Sequence, residues 1–282
     1  MTAPLPTASR WNTYSRSRYP RLWDGCVGAW CPSLGVSGTR LFDFSGRQNW
    51  GTLTNMDAAT DWVVDDGGYA LDFDGVNDTV ITSSQFAPGT RPMSACCWVY
   101  GYDLSFFSVF LAQRPASFNF ATQHCWLMGY GDLTTGATGK TLSVLLYTPS
   151  NWRAAKTTGT VSDKLRHVGF SSNGSSIDLY VDGVAAAKTD QSLGNYPDIT
   201  QQHNTSFGAA QDATLLTQCT MDDIRIYDRA LHPKEWRLLA RRRAIAYEPE
   251  YWAPPFPEQD GGGGITSRPY AYQSARMIGA GR

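Results

Sequence analysis

Two glycine-containing turns within residues 166–189 constrain the fold of this chain more than any other feature. Asn173-Gly174 and Asp182-Gly183 each separate short runs in which apolar and polar residues alternate. Both central residues of a type I′ turn need a positive φ, so these dipeptides are strong signals for β-hairpins. Between the two turns, one strand face would carry Ile177, Leu179 and Val181. The region therefore predicts half-buried antiparallel strands.

Similar short runs bounded by turn residues recur along the chain. They predict further strands at residues 28–31, 70–73, 79–82, 94–100, 107–113, 126–130, 141–147, 205–209 and 219–227. About a dozen short strands with polar turns are typical of a two-sheet sandwich. The 282 residues, with 27 glycines, 15 prolines and 13% aromatic residues, suit one large all-β domain.

One helix is predicted, at about residues 233–244 near the end of this domain. Pro233 would take the first helical position, and Glu235 in the first turn would favour the helix dipole. The side chains expected to face the domain are Trp236, Leu239 and Ile245. Arg241, Arg242 and Arg243 would crowd the last turn, where cations are favoured. A solvated helix end explains this triplet more simply than a nucleic-acid patch does.

The two ends of the chain differ in composition from the middle. Residues 1–20 form a basic Pro/Ser-rich arm, residues 21–247 form the globular body, and residues 248–282 form a Pro/aromatic arm. Four glycines at 261–264 predict a flexible joint within the second arm. The arms are either solvated tails or anchors that pair with an acidic neighbour, such as another copy of the body. The residues assigned to such anchors are Arg10, Arg16, Arg18, Arg268 and Arg276.

Four segments of the body resemble the laminin G-like, concanavalin A-like lectin/glucanase family. They are LFDFSGRQNWGTLTN, ALDFDGVNDTVIT, KLRHVGFSSNGSSIDLYVDGVAAAKT and FGAAQDATLLTQCTMDDIRIYDRALHPKEW, in the family's order. The resemblance implies a jelly-roll β-sandwich of two antiparallel sheets with a terminal helix. Lectins, carbohydrate-binding modules, adhesion domains and some glycosidases use this fold.

The opening segment VGAWCPSLGVSGTRLFDFSGRQNWGTLTNMDAATDW also resembles a subtype found in virion proteins of tailed phages. This second resemblance implies other virion proteins, or copies of the chain itself, as partners of the arms. The N-terminus has no apolar core of a signal peptide, so we expect a virion protein made in the host cytoplasm. No stretch of 18 apolar residues occurs, and membrane insertion is not expected.

Catalytic chemistry is not predicted. The paired strand glutamates of related glycosidases have no counterpart, because the four glutamates lie in or after the helix: Glu235, Glu248, Glu250 and Glu258. Aspartates alternate at Asp72 and Asp74, and Asp178 and Asp182 end a strand, but Asp74 and Asp182 precede turn glycines. His167 is expected to be structural, and no nucleophile elbow, P-loop or dinucleotide fingerprint occurs.

Two kinds of ligand remain as predictions. A structural Ca²⁺ would use oxygen ligands from Asp43 and Asp222, because the resemblance places the first and last strands side by side. Otherwise Asp43 caps a turn and Asp222 makes a local hydrogen bond. Glycans would stack on aromatic side chains in or near loops. These candidates are Trp50, Trp62, Tyr102, Tyr130, Trp152 and Tyr196.

The six cysteines are expected to be small buried thiols rather than disulfides or metal ligands, because no CxxC pair occurs. The sequence thus predicts a non-catalytic virion surface protein, either a capsid decoration or an appendage, anchored by its arms. The alternative is a free-standing carbohydrate-binding or adhesion module. A glycan hydrolase is the least favoured interpretation.

Overall fold

The computed structural model describes residues 17–248, except for gaps at 66–67, 104–107, 116–118, 120, 138, 162–163 and 211–214. Four of the arm arginines fall outside the described residues: Arg10, Arg16, Arg268 and Arg276. Within the described residues, no helix is long and apolar enough to cross a membrane.

The described residues are mostly β-strands. In chain order the strands are β1 (Cys26–Trp30), β2 (Arg40–Leu41), β3 (Gly51–Thr54), β4 (Trp62–Asp65), β5 (Gly68–Asp74), β6 (Thr79–Gln85), β7 (Met93–Asp103), β8 (Ser108–Gln113), β9 (Cys125–Tyr130), β10 (Leu142–Tyr147), β11 (Trp152–Thr157), β12 (Arg166–Ser172), β13 (Ile177–Val181), β14 (Val184–Ala185), β15 (Lys188–Leu193), β16 (Asn204–Phe207) and β17 (Gln218–Tyr227). One α-helix, α1 (Pro233–Leu239), follows the last strand. Short 3₁₀ helices are Pro20–Trp23, Pro32–Leu34 and Ile245–Tyr247.

The strands form two antiparallel sheets. The eight-stranded sheet has the order β14-β13-β12-β7-β17-β5-β4, and β1 pairs with the second half of β17. The nine-stranded sheet has the order β15-β11-β10-β9-β8-β16-β6-β3-β2. The predicted two-sheet sandwich is confirmed, as are the nine predicted strands, with boundaries shifted by a few residues. Strands β2, β3, β4, β11 and β15 were not predicted from the sequence.

The main core lies between the two sheets. Alternate residues of each strand point inward, as the period of two requires. The large side chains that fill this core include Trp30, Phe73, Phe110, Trp126, Tyr130, Phe170 and Phe207, each with no more than a trace of solvent exposure. Tyr130 was predicted to be a rim aromatic available to a sugar, and this was wrong. It ends β9 on the inward-facing side, beside Phe110.

The two hairpin signals differ in detail. Asp182 and Gly183 have φ values of 48° and 77°, which confirms the predicted type I′ turn between β13 and β14. At the other turn only Gly174 has a positive φ, of 87°. Residues 173–176 form a wider turn there, because Asn173 Oδ1 accepts the backbone N–H groups of Ser175 and Ser176, both at 2.9 Å. An Asx turn thus replaces the expected two-residue turn.

Helix α1 covers the outer face of the eight-stranded sheet and is shorter than predicted, ending at Leu239. Its Trp236 ring stacks on Tyr180 of β13 with a centroid distance of 4.4 Å. The helix begins with a capping box, in which Glu235 accepts the His232 backbone N–H at 2.8 Å. The expected contacts of Trp236, Leu239 and Ile245 with the body are confirmed, since all three are buried.

The basic triplet after the helix was only partly anticipated. Arg241 and Arg242 are exposed as expected, whereas Arg243 is buried and lies 3.6 Å from the carboxylate of Asp222. The chain turns back after Leu239, so Arg243 reaches β17 instead of extending a solvated helix end.

The first described residues lie against the last ones. Ser17 Oγ donates to the carbonyl of Ala246 at 2.9 Å, and the Arg18 backbone N–H donates to the Glu248 carbonyl at 2.9 Å. Arg18, which the sequence analysis placed in the N-terminal arm, also forms an ion pair with the Glu248 side chain at 3.3 Å. The described chain therefore begins and ends at one place on the sandwich.

All six cysteines are buried and free, as predicted. His167 is also buried, between the rings of Trp98 and Trp236 at 5.6 and 5.9 Å. Burial, reinforced by the charge of Arg225, lowers the pKa of His167 to about 3. The imidazole is thus neutral at physiological pH and serves the packing beneath α1.

Candidate functional site

The outer face of the nine-stranded sheet carries a row of apolar side chains on three neighbouring strands. Tyr147 of β10 lies directly opposite Trp152 of β11, which lies opposite Leu193 of β15. Directly opposed residues of antiparallel strands point to the same face. Tyr147 and Trp152 are half-buried, and Leu193 is 54% exposed. These three residues are the aromatic row.

The aromatic row borders a second apolar cluster on the same face. The members of this cluster are Val109, Ala112, Cys125, Leu127, Leu145 and Ala154. Leu133 and Leu215, from loops outside the sheet, pack against it together with Tyr147 and Trp152. The central strands β8 to β10 are therefore buried on both faces, which explains their nearly continuous apolar sequences.

Polar groups gather at the other end of this face. The ammonium group of Lys156 lies 2.8 Å from the carboxylate of Asp132, and the Thr134 hydroxyl donates to the same carboxylate at 2.6 Å. The Thr134 hydroxyl also contacts the side-chain oxygen of Gln191 on β15. Asp132, Thr134, Lys156 and Gln191 are the polar cluster.

The two charges of the polar cluster, on Asp132 and Lys156, compensate each other. Burial alone would raise the pKa of Asp132, but hydrogen bonds from Lys156 and Thr134 hold it well below its usual range. The carboxylate is thus ionised at neutral pH and paired with the Lys156 ammonium. The cluster lines an open, shallow depression with a cavity volume of about 10 Å³, far below the ~300–1,000 Å³ of pockets that enclose small ligands.

The spacing of the two groups suits an extended ligand. Trp152 and Lys156 lie four residues apart on β11, and residues two apart on a strand share a face. Their side chains are therefore separated by roughly 13 Å along the outer face. This face, from the aromatic row to the polar cluster, is the candidate site. Of the six aromatic residues proposed from sequence, it includes Trp152.

Three other predicted aromatic residues lie elsewhere. Trp62 is buried and donates its indole N–H to the Gly38 carbonyl at 3.0 Å. Trp50 is 37% exposed and stacks with the Arg40 guanidinium at 5.2 Å. It lies beside β3, six strand positions from β11, or roughly 29 Å away at the usual spacing. The half-buried Tyr196 packs against the main core, and its hydroxyl contacts Ser172.

Tyr102 belongs to β7, but its side chain lies outside the described residues. Sequence reasoning missed Tyr147, Asp132, Lys156 and Gln191. The sequence did contain a pattern that predicts the position of Tyr147. The runs LSVLLY and WRAAKT are separated by four turn residues, which is typical of a β-hairpin. Recognising that hairpin would have placed Tyr147 opposite Trp152. The polar cluster had no comparable signal, because it joins a loop to two strands distant in sequence.

The two proposed calcium ligands do not fit a metal site. Asp43 is fully buried, and its carboxylate accepts hydrogen bonds from Ala29 N at 3.0 Å, Ser45 N at 2.8 Å, Ser45 Oγ at 2.7 Å and Asn49 N at 2.9 Å. It caps a turn, the alternative considered above. Asp222 accepts the Ser33 N–H at 3.0 Å and faces Arg243. Four protein donors at one carboxylate and a guanidinium at the other leave no place for a cation.

The part of the chain that the structure describes holds no group of three or more His, Cys, Asp or Glu side chains able to bind a metal ion. The described glutamates have structural partners. Glu235 pairs with Arg229 at 2.7 Å, and Glu248 pairs with Arg18. Burial acts to raise the pKa of Glu235, but hydrogen bonds from Arg229 outweigh it and lower that pKa.

Comparison with known proteins supports the fold. A family model described as the concanavalin A-like lectin/glucanases superfamily, of laminin G type, matches residues 73–235. The match covers more than half of the chain, and the chain belongs to this superfamily. A search of curated proteins gives no match.

Several solved structures share the sandwich. Domain 4 of the arabinanase AbnA from Geobacillus stearothermophilus, in complex with arabinotriose, is 16% identical with a TM-score of 0.57, and the alignment covers 77% of this chain and 98% of that domain. The receptor-binding domain of a botulinum neurotoxin C/D mosaic is 12% identical with a TM-score of 0.56, covering 77% and 51%. The Trypanosoma rangeli sialidase in complex with sialic acid is 17% identical with a TM-score of 0.52, covering 77% and 32%. This chain thus spans about a third of the sialidase, and such identities establish the lectin-like fold alone.

Proposed function

We propose that this chain is a non-catalytic glycan-binding module whose ligand lies on the outer face of the nine-stranded sheet. The observation that carries the proposal is the aromatic row beside the polar cluster. The faces of Trp152 and Tyr147 offer surfaces on which the C–H face of a sugar ring can stack. Asp132, Lys156 and Gln191 offer acceptors and donors for hydroxyl groups.

The shape of the face indicates how a ligand would lie. The depression is too shallow to enclose a sugar, so an oligosaccharide would rest across the surface. A separation of roughly 13 Å between the two groups leaves room for more than one sugar ring. Because the polar cluster pairs its carboxylate with its ammonium group, it offers hydrogen bonds without a net charge.

Two further considerations support the proposal. The arabinanase domain is described with arabinotriose, and the sialidase with sialic acid. The strands of the described residues carry no glutamate, so the pair of carboxylates that glycoside hydrolysis requires would need to come from aspartates there. We therefore propose binding without turnover.

Trp152→Ala is the direct test. The full chain is screened on an array of oligosaccharides, and each positive ligand is titrated by isothermal calorimetry. Truncating a central tryptophan typically costs about 2 kcal/mol of binding, so Trp152→Ala should weaken binding by at least about tenfold.

Trp50→Ala is the matched control, because Trp50 is exposed near the opposite edge of the same sheet. It should leave affinity unchanged. The proposal fails if no oligosaccharide binds, or if Trp50→Ala weakens binding as much as Trp152→Ala. Release of reducing sugar from a bound ligand would contradict the absence of turnover.

A second candidate function is a virion surface protein carrying such a module. It rests on the resemblance of the opening segment to tailed-phage virion proteins and on the arginines of both arms. The contact between Arg18 and Glu248 places the described starting points of the two arms next to each other. Mass spectrometry of purified phage particles tests this candidate. Absence of the chain from the particles would remove it.

A further inference from the structure

The two edges of the eight-stranded sheet are both unpaired in the described chain and carry opposite charges. Strand β14 ends the sheet on one side, and β4 ends it on the other. Five strand spacings, or roughly 24 Å, separate β14 from β5, the neighbour of β4. Unprotected edge strands are places where a second chain can add.

The β14 edge is basic. Helix α1 packs beside β14 and presents Lys234 and Arg237 to solvent on one helix face, and Arg241 is exposed just after the helix ends. Among the described residues, none of these three forms an ion pair. The exposed carboxylates of β13 and the turn that follows it are Asp178 and Asp182. Because Asp182 pairs with Arg166 at 2.7 Å, the three cations are opposed by the charge of Asp178, and an excess of positive charge remains at this edge.

The β4 edge is acidic. Five carboxylates belong to β5 and the loops beside it: Asp57, Asp61, Asp72, Asp74 and Asp78. No ion pair among the described residues includes any of them. Burial raises the pKa of Asp78 to about 6, and the charges of Asp74, Asp61 and Asp72 act in the same direction. Burial and the charges of Asp61 and Asp74 likewise raise the pKa of Asp72. These carboxylates repel one another and would be stabilised by a cationic neighbour.

Exposed apolar side chains accompany the charges at both edges. Val184 on β14 is 63% exposed. At the other edge, Val64 on β4 is 79% exposed, and Val76, in the turn that holds Asp74, is 69% exposed. Apolar residues flanked by charges of opposite sign are the composition of a contact surface.

We propose that copies of this chain associate edge to edge, with the basic β14 and α1 edge of one copy on the acidic β4 and β5 edge of the next. The occupant is a second copy because the same molecule presents both complementary surfaces. Since the two surfaces differ, the contact is heterologous and can continue from copy to copy. It leaves the outer face of the nine-stranded sheet open, so it stands independently of glycan binding.

Sedimentation velocity of the full chain over a concentration series tests this association. At low ionic strength the mean sedimentation coefficient should rise with concentration, and high ionic strength should reverse the rise. Arg237→Glu places a like charge against the acidic edge, and Val64→Lys places one against the basic edge. Each variant should weaken association by at least about tenfold.

Mixing the two variants provides the sharpest outcome. The unaltered acidic edge of the Arg237→Glu variant can then meet the unaltered basic edge of the Val64→Lys variant, so copies of the two variants should associate with each other although neither self-associates. Arg47→Glu, an equal charge reversal at an exposed residue near the nine-stranded sheet, is the matched control and should not change association. A chain that stays monomeric at low ionic strength overturns the proposal. So does self-association that survives both variants, or a mixture that fails to pair.

Discussion

The outer faces of the two sheets both carry apolar side chains, but they differ in how completely other segments of the chain cover them. On the eight-stranded sheet, α1 and the 3₁₀ helices at Pro20–Trp23 and Ile245–Tyr247 cover the apolar side chains almost completely. On the nine-stranded sheet, loop residues cover the central strands, but the aromatic row towards the β15 edge stays half-buried or exposed. The difference shows that an apolar strand face becomes core only where the chain supplies a cover.

A buried ionic cluster holds the covering segments, which are α1 and the two 3₁₀ helices, against the eight-stranded sheet. Arg225 of β17 is fully buried, pairs with Asp223 at 2.8 Å and lies 4.8 Å from the ring centres of both Trp23 and Tyr247. Asp223 also accepts the backbone N–H of Ala244 at 3.0 Å. A bulge in β17 at these residues turns the carboxylates toward the terminal segments. The described ends of the chain are thus held to the middle of one sheet.

The largest difference between the faces should appear when their tryptophans are truncated. Trp236→Ala removes a fully buried ring and its hydrogen bond to Ser171, at a cost of about 3–5 kcal/mol in the free energy of unfolding. Trp152→Ala removes a half-buried ring and should cost on the order of 1 kcal/mol. Urea denaturation measures both values. Equal losses would show that the outer face of the nine-stranded sheet is as well covered as the other.

Neutralising Asp223 tests how much the buried ion pair with Arg225 contributes to holding the covering segments on the eight-stranded sheet. Asp223→Asn keeps a residue that tolerates the observed φ of 44° but leaves Arg225 buried without its counter-charge. Removing one partner of a buried pair typically costs about 3–5 kcal/mol. The double variant Asp223→Asn, Arg225→Met should recover part of that loss, as measured by chemical denaturation. A double variant less stable than Asp223→Asn would contradict this account.

The stability of the protein should depend on pH through Asp222, which lies on β17 of the eight-stranded sheet. Burial and the charge of Asp223 raise the pKa of Asp222 to about 7, above its ordinary value of 3.8. The folded state therefore holds the proton more tightly than the unfolded state, and the contribution of Asp222 to stability falls as the pH rises from about 4 to about 7. Asp222→Asn should remove this fall, gaining on the order of 2 kcal/mol relative to wild type between pH 5 and pH 8.

Thermal or urea unfolding of wild type and Asp222→Asn at several pH values measures this difference. Asparagine keeps an oxygen that can accept the Ser33 N–H but removes the charge that faces Arg243, so the test compares how stability changes with pH in the two proteins and not their absolute stabilities. Parallel pH profiles of the two proteins would show that Asp222 does not titrate in this range.

The smallest expected effect on stability comes from a substitution on the outer face of the nine-stranded sheet. Lys156→Gln breaks the ion pair with Asp132, in which the Lys156 side chain is 35% exposed. Partly exposed pairs contribute about 0.2–1 kcal/mol, so stability should barely change in a urea titration. Glycan affinity should fall with this variant if the polar cluster contacts the ligand. A loss of several kcal/mol in stability would instead make the cluster structural.

Much of the sandwich was predictable because its signals are local. Asp182-Gly183 formed the expected turn, and Ile177 and Leu179 formed the expected inward face, since turn chemistry and strand alternation depend on neighbours in sequence. Tyr130 was misassigned for a related reason. Its position at the end of a strand indicated a rim residue, but burial depends on the sheet packed against it. Asn173-Gly174 failed because the side chain of Asn173 selected a different turn.

The candidate site was predictable only in part. Trp152 could be proposed as an exposed aromatic residue, whereas Asp132, Lys156 and Gln191 meet through strand pairings over distances of 24 and more residues. No local pattern encodes such a meeting. The same holds for Arg243, whose burial depends on a bulge in a strand about 20 residues earlier.

The sequence by itself determined the all-β class, the Asp182-Gly183 turn, the buried thiols and the family, because each depends on residue types at short spacing. Only the tertiary structure decided which sheet faces are covered, which aromatic residues share a face and which charges are buried. These depend on contacts between segments far apart in sequence, where the free energy of burial is shared among many side chains.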